Sequence, residues 1–258
     1  MTDRLIFTNT RLQLTGKKGV IKPDSDGYYE FPVGAFNCQN SAGEVYTNDN
    51  IDRIFSDSSA FMRKVTSGKL YGEWGHPLPR YGEPEDSYVN RASNIEDKDT
   101  CVFFKEIWND PKAGKHFTQY NGIDSSSIIT FARLKPHGAL WETLQRAIDD
   151  PNVNIAFSVR NFGRDRMYRG KCYVSVEEVV TYDAVSEQGV ASSEKYGSLK
   201  LEHHRVEITP KIINQLKKAM VTGGLRMESM ASAKAIIEAG DRFYKLSEQK
   251  GPSYADWK

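Results

Sequence analysis

Hydrophobic and polar positions alternate near the start of the chain, which predicts an opening rich in β-strand. Between residues 5 and 14, apolar residues are spaced two apart within two pairs and are set among polar residues, as in a half-buried strand. The aromatic and apolar segment 28–36 predicts a second strand. The segment 37–50 that follows is dense in Asn, Gly and Ser, which is typical of a loop.

The pattern then changes to helix, and afterwards strands dominate. Apolar positions recur at helical spacing from Ile51 to Val65, and Gly68 is a suitable residue to end that helix. Further strands are predicted at 69–74, 101–108, 126–134, 153–159 and 172–185, with an amphipathic helix at 137–149. Helical periodicity then begins at Pro210. The sequence therefore predicts an α+β protein with one domain at residues 1–205 and a helical C-terminal tail at 206–258.

Composition narrows the classes of function. A chain of 258 residues can bury a core without disulfides or a metal. Its 35 Lys+Arg against 34 Asp+Glu leave a net charge of +1, so neither nucleic acid nor a membrane is expected as a partner. The three cysteines show no CxxC spacing, which predicts no zinc site and suits a reducing compartment. Because no secretory signal or membrane-spanning apolar run is visible, we expect a cytoplasmic protein.

Three widely separated residues are candidates for catalysis. His76 lies in the Gly- and Pro-containing segment 72–77; a lone histidine is more often structural, but it is also the natural general base near neutral pH. Ser158 follows an apolar run without the GxSxG elbow of α/β-hydrolases, and such a hydroxyl often bonds only to backbone. Asp183 interrupts a strand-like segment, where a buried carboxylate needs a positive or hydrogen-bonding partner. Only the fold can bring the three together as a triad.

Four segments in this order resemble the prohead core serine proteases of large contractile-tailed phages, which are thought to share the herpesvirus assemblin fold. The Asn- and Gly-containing segment 37–46 is similar to the N-terminal loop of that family, although Glu44 stands where the family usually has Arg. LYGEWGHP at 70–77 is similar to the G-E-x-x-H-P box of the family. SVRNFG at 158–163 is similar to its S-x-R-x-x-G motif, and VVTYDAV at 179–185 is similar to its D-x-V strand.

The resemblance implies an assemblin-like mixed β-barrel surrounded by helices, with His76, Ser158 and Asp183 as the catalytic residues. It also implies a serine endopeptidase that needs no metal or organic cofactor. Such an enzyme cleaves scaffold and major capsid proteins, and itself, after glutamate inside the assembling prohead in the host cytoplasm. Assemblin relatives dimerise, and an apolar helical face in this chain is compatible with a homodimer.

The resemblance points to further site residues. Backbone N–H groups from Arg160 to Gly163 and the Arg160 guanidinium are candidates for stabilising the oxyanion, the alternative for Arg160 being a structural salt bridge. The cationic run from Arg164 to Lys171 is a candidate receptor for a substrate glutamate, or else a solvated turn. Glu238 and Glu248 follow aliphatic residues two positions earlier and are expected autocleavage sites. Such tripeptides also arise by chance, and an ordered helix resists cleavage.

Two other functions remain open from the sequence. The first is a non-catalytic prohead core or scaffold component with a protease-like fold, against which stands the presence of all three triad residues. The second is a general hydrolase that uses serine on small esters, for which the sequence lacks an elbow motif.

Overall fold

The computed structural model describes residues 4–12, 22–40, 43–118, 123–150, 152–153, 155–185, 205–222 and 230–249. The strands are β1 Arg4–Leu12, β2 Tyr29–Phe36, β3 Cys38–Gln39, β4 Val45–Thr47, β5 Tyr71–Glu73, β6 Thr100–Asp110, β7 Ile128–Pro136, β8 Ala156–Tyr168, β9 Lys171–Val185 and β10 Arg205–Glu207. The α-helices are α1 Ile51–Ile54, α2 Ala60–Thr66, α3 Glu85–Ala92, α4 Trp141–Asp149, α5 Pro210–Val221 and α6 Met230–Gln249. Short 3₁₀ helices lie at Asp97–Asp99 and Ala113–His116.

The strands form two sheets that are joined between β5 and β9. A six-stranded sheet has the order β10-β1-β8-β9-β4-β3, and a four-stranded sheet has the order β2-β7-β6-β5. All neighbours are antiparallel except β4 and β9, which are parallel. The sheets meet where Trp74, just after β5, makes an isolated bridge to Ala184 of β9. The α+β class is confirmed, but within the described residues the strands do not close into the expected barrel.

The main core lies between the two sheets and contains a group of aromatic rings in contact with one another. Phe31 and Phe104 from the four-stranded sheet both contact Phe157 of β8, with ring centroids 5.4 and 6.1 Å apart in edge-to-face arrangements. Such arrangements are the favourable ones for aromatic pairs. Tyr182 of β9 packs on Phe104 and on Phe61 of α2 in the same way. The central strands β8 and β9 are thereby fixed against the second sheet.

A second apolar cluster covers the other face of β8 and β9. Phe162 and Val180 point into it, together with residues of α3, α5 and α6. Strands covered on both faces read as nearly continuous apolar runs, which explains the burial of almost every residue in the second half of β9. The helices at 210–221 and 230–249 therefore pack on the domain, while the boundary at residue 205 stays a prediction. No helix among the described residues is long and apolar enough to cross a membrane.

Several predicted elements differ from the observed ones. The helix predicted at 51–65 is broken into α1 and α2, because Ser59 caps a new helix by accepting the Met62 N–H at 3.0 Å. The predicted end at Gly68 is confirmed, since this residue adopts a φ of +68° two residues after α2. The segment 37–50 contains β3 and β4 as well as loop, and β8 continues well beyond Val159 to Tyr168.

Gly72 is where β5 approaches β9 most closely. A Cβ at this position would lie 2.1 Å from the Tyr182 carbonyl oxygen and 2.8 Å from Val102 Cγ1. We expect Gly72→Ala to lower the free energy of unfolding by about 2 to 3 kcal/mol, because backbone must move to relieve the overlap. Gly27→Ala is the control: its φ of +80° strains an added side chain, but nothing lies within 4 Å. Equal losses in both variants, measured by chemical denaturation, would show that the approach of β5 is unimportant.

Candidate active site

Three elements bring His76, Ser158 and Asp183 to one place. Ser158 and Asp183 are directly opposite each other on the antiparallel strands β8 and β9, so their side chains emerge on the same face. His76 follows β5, where the Gly75 N–H donates to the Ala184 carbonyl at 2.6 Å. The site therefore lies at the junction of the two sheets.

The three side chains form an unbroken chain of hydrogen bonds. His76 Nδ1 lies 2.7 Å from Asp183 Oδ2, and His76 Nε2 lies 2.6 Å from Ser158 Oγ. The carboxylate can only accept, so Nδ1 carries the proton and Nε2 accepts from the serine hydroxyl. This order of carboxylate, imidazole and hydroxyl is what a serine nucleophile needs for activation. Ser158 and Asp183 are fully buried, and the His76 side chain is 8 % exposed.

The glycines of the segment 72–77 explain why that segment can present a histidine. Gly72 permits the close approach of β5 to β9. Gly75 adopts a φ of +83°, a left-handed conformation that costs glycine little. The chain thereby turns out of β5 and places His76 over Asp183.

Asp183 is held by four hydrogen-bond donors. Its Oδ2 accepts from His76 and from Arg160 Nε at 2.8 Å, and its Oδ1 accepts from Arg160 NH2 at 2.8 Å and from the Glu73 backbone N–H at 2.9 Å. Burial acts to raise the pKa of Asp183, but the Arg160 charge and the bonds from His76 and Glu73 outweigh it and hold the pKa below its usual value. Asp183 is therefore an ionised, rigidly oriented partner for the imidazole.

Arg160 is fully buried, and all five of its N–H donors are used. Nε and NH2 each donate to Asp183, and NH2 also donates to Glu73 Oε2 at 2.7 Å. NH1 donates to the carbonyls of Ala92 and Asn94 at 3.3 and 2.8 Å. A guanidinium has five donors, so none is left for an oxyanion. This arrangement agrees with the salt-bridge alternative for Arg160 and not with the oxyanion role.

Glu73 is a site residue that the sequence interpretation missed. Its Oε2 accepts from Arg160, and its Oε1 accepts from the Glu96 backbone N–H. Burial raises the pKa of Glu73 above its usual value, and the Asp183 charge acts in the same direction against the attraction of Arg160. The signal in the sequence was its place in the G-E-x-x-H-P box, where only the histidine was assigned a role.

Gly163 and the cationic run lie too far along β8 to serve the site directly. Gly163 pairs with Val176, about 16 Å from Ser158 at the usual rise per strand residue. Arg164 bonds to Glu177 of β9, about 20 Å from Ser158 by the same measure. The structure therefore supports Gly163 neither as an oxyanion donor nor as a neighbour of Ser158. Arg164 is a structural ion-pair residue, Arg169 lies in the hairpin turn, and Lys171 begins β9.

Both expected autocleavage sites lie in α6. Glu238 is exposed, but the residues before it, Ile236 and Ile237, are 1 % and 8 % exposed and belong to the second apolar cluster. Glu248 lies one residue before the end of α6 at Gln249. Neither peptide bond is extended, so each needs local unwinding before a protease can cut it.

A shallow cleft lies beside His76. It is lined by Glu73, Trp74, Gly75, His76, Pro77, Arg91, Glu96 and Asp99. Arg91 donates to Glu83 through both Nε and NH2, at 3.1 and 2.7 Å. Lys98 pairs with Glu96 at 2.9 Å and also with Asp99, so the charges along the cleft are largely paired. No group of three or more metal-ligating side chains is found in the described part of the chain.

Comparison with known proteins places this chain in a family of peptidases. Residues 7–240 match the peptidase S80 family, and the chain belongs to that family. The capsid maturation protease of Pseudomonas phage phiKZ is 30% identical over 223 residues, covering 84% of this chain and 79% of that protein. The structure of the bacteriophage T4 capsid assembly protease has a TM-score of 0.47 and 15% identity, covering 72% of this chain and 99% of that one. The resemblance to phage capsid maturation proteases is confirmed.

Proposed function

We propose that this chain is a serine endopeptidase of phage prohead maturation, with Ser158 as nucleophile, His76 as general base and acid, and Asp183 as the orienting carboxylate. The observation that carries the proposal is the hydrogen-bonded chain from Asp183 through His76 to Ser158. Membership in a peptidase family supports the reaction class. The name of the phiKZ relative supports the role in capsid maturation.

The geometry suits acyl transfer through a covalent intermediate. Ser158 Oγ attacks the scissile carbonyl carbon while its proton passes to His76 Nε2. The C–N bond then breaks as His76 returns the proton to the leaving amine, which leaves an acyl-serine. Water then attacks the acyl-serine with His76 again as base, and the ester C–O bond breaks as His76 returns this proton to Ser158 Oγ. Asp183 stabilises the imidazolium that forms twice in this cycle.

The substrates we propose are scaffold and major capsid proteins, and the chain itself, cleaved after glutamate inside the assembling prohead. The relative's name supports the setting, and the preference for glutamate rests on the family resemblance of the motifs. The cationic run at 164–171 does not provide the receptor for that glutamate, because it lies at the far end of the β8–β9 hairpin. A homodimer stays a prediction.

The proposal is tested by finding new protein termini in the presence of the substrate. Wild-type and Ser158→Ala protein are each incubated alone, with purified scaffold protein, and inside assembled proheads, and fragments are read by intact mass. Because Ser158 is fully buried, we include the assembled prohead as the condition in which substrate gains access. Fragments ending in glutamate with the wild type only are expected. If wild-type proheads contain no new termini, the chain is instead a non-catalytic component of the core.

Autoprocessing in α6 is expected to occur first after Glu248 and later after Glu238. Helix ends open at low cost, whereas opening the middle of α6 must expose Ile236 and Ile237. A time course by intact mass is expected to show the fragment 1–248 before 1–238. The variants Glu248→Gln and Glu238→Gln are each expected to remove one fragment and retain the other. Appearance of 1–238 first, or persistence of both fragments in the variants, would contradict this order.

A further inference from the structure

The triad rests on a buried cluster of three charged side chains. Arg160 lies between Asp183 and Glu73, at 2.8 Å from Oδ1 of the first and 2.7 Å from Oε2 of the second. The side chains of Arg160 and Asp183 are 0 % exposed, and that of Glu73 is 4 % exposed. Charges in such a dry environment interact strongly and are little screened by salt.

The hydrogen bonds of Glu73 identify its protonation state. Oε1 faces the Glu96 backbone N–H, and Oε2 faces the Arg160 guanidinium. Both partners can only donate, so among the described residues the two contacts of Glu73 are those of a carboxylate. The geometry therefore favours an ionised Glu73, against the effect of burial, which raises its pKa. With Asp183 also ionised, the three side chains together carry one net negative charge.

We propose that Arg160 and Glu73 are positioning residues of the triad. Arg160 fixes the plane of the Asp183 carboxylate, and Glu73 offsets the guanidinium charge so that His76 faces a cluster with net negative charge. This inference rests on the proposed function for its catalytic meaning, but it concerns the protonation of His76, which is measurable without proteolysis. It also explains why a glutamate stands three residues before the histidine.

The physical reason lies in the imidazolium that forms during acyl transfer. Without Glu73, the charges of Arg160 and Asp183 cancel, and the imidazolium loses part of its stabilisation. The Arg160 guanidinium cannot move away from Asp183, because its NH1 donors are held by the carbonyls of Ala92 and Asn94 at the end of α3. The guanidinium is thus fixed from one side by α3 and from the other by the two carboxylates.

Other titratable groups also face the cluster. Cys101 of β6 is buried, and burial together with the charges of Asp183 and Glu73 raises the pKa of its thiol, so it stays neutral. The charged residues that line the cleft beside Glu73 and His76 are Arg91, Glu96 and Asp99. These three are unchanged by the variants below, so their contribution cancels in each comparison.

The test is the titration of the His76 imidazole, followed by NMR of ¹⁵N-histidine in a Ser158→Ala background, with and without Glu73→Gln. We expect Glu73→Gln to move the protonation midpoint of His76 about one pH unit lower, as removal of a nearby negative charge does. Glu73→Asp keeps the charge and is expected to restore most of the midpoint. Glu177→Gln is the matched control, since it removes a carboxylate of β9 that pairs with Arg53 and Arg164 and is expected to leave the midpoint unchanged.

An unchanged midpoint in folded Glu73→Gln, or equal shifts in Glu73→Asp and Glu73→Gln, would overturn the proposal in favour of a structural role. If Glu73→Gln does not fold, Arg160→Lys is the second variant. It keeps the positive charge but loses the paired bonds to Asp183. We therefore expect an unmoved midpoint in the Ser158→Ala background and, in protein that retains Ser158, at least a tenfold lower kcat on a peptide spanning Glu248. A shifted midpoint or an unchanged kcat in Arg160→Lys would overturn the proposal. A wild type that cleaves nothing would refute the proposed function, while the NMR titration would still decide the role of Glu73.

Discussion

Replacement of Ser158 by alanine is expected to abolish peptide cleavage while leaving the chain folded. In the proposed mechanism the hydroxyl is the attacking group, and it lies 2.6 Å from His76 Nε2. Loss of a nucleophile in a triad costs at least about 1,000-fold in turnover. The free energy of unfolding is expected to fall by only about 1 kcal/mol, because one buried hydrogen bond is lost and no cavity larger than a hydroxyl is made.

The control for this prediction is another buried serine. Ser127 is 0 % exposed and donates to the Asn37 carbonyl at 2.8 Å, away from the site. Ser127→Ala is expected to retain cleavage at a comparable cost in stability. The double variant Ser158→Ala/His76→Gln is expected to lose less than about tenfold beyond Ser158→Ala, because residues that act as one unit are not additive. Cleavage by Ser158→Ala at near the wild-type rate would show that another group is the nucleophile.

The parts of the site that could be predicted are those with a local signal. His76 is marked by the glycines and proline around it, and Ser158 by its place after an apolar run, but only the resemblance of these motifs to those of a known family assigned both residues to catalysis. The charged cluster beneath them has no such signal, because Glu73 and Arg160 meet only through the pairing of β5, β8 and β9. One deduction was within reach: once Asp183 is placed opposite Ser158, Arg160 two positions along the strand lies on the same face and diagonal to it.

The fold shows the same division between strong and weak patterns. Long apolar strands such as β9 were predicted nearly to their ends. The two-residue β3 and three-residue β4 were missed because so few positions carry no periodicity. The end of β8 was missed because the buried polar residues Arg160 and Asn161 interrupt the apolar pattern, although the ladder with β9 continues to Tyr168. Such short strands and strand ends are determined by the strands with which they pair, and a single sequence does not show which strands pair.

Asp183→Asn is expected to lower kcat/KM by about 10,000-fold and also to destabilise the fold. Each carboxylate oxygen of Asp183 accepts from two donors. An amide NH₂ group placed at either oxygen therefore faces donors and loses two hydrogen bonds. If it faces His76, the imidazole takes the tautomer in which Nε2 carries the proton and no longer accepts from Ser158. The partly unpaired Arg160 is expected to cost about 3 kcal/mol of unfolding free energy.

The contribution of Asp183 to the free energy of unfolding depends on pH, and its pKa sets the direction of that dependence. The folded pKa of Asp183 lies below its usual value, so its contribution is present above the unfolded pKa and is lost as pH falls through the folded pKa. The difference in unfolding free energy between wild type and Asp183→Asn is therefore expected to be largest near neutral pH and to narrow below about pH 4. Denaturation curves at several pH values measure it.

The matched control for Asp183→Asn is Glu178→Gln. Glu178 is another buried carboxylate of β9, and burial raises its pKa to about 7. It does not belong to the hydrogen-bonded group formed by Ser158, His76, Asp183, Arg160 and Glu73. We expect Glu178→Gln to cleave within about twofold of wild type, because substitutions outside a hydrogen-bonded unit rarely affect it. Activity of Asp183→Asn within tenfold of wild type would show that Asp183 does not orient His76. The catalytic unit would then consist of Ser158 and His76 alone. Arg160 and Glu73 could not influence His76 through Asp183.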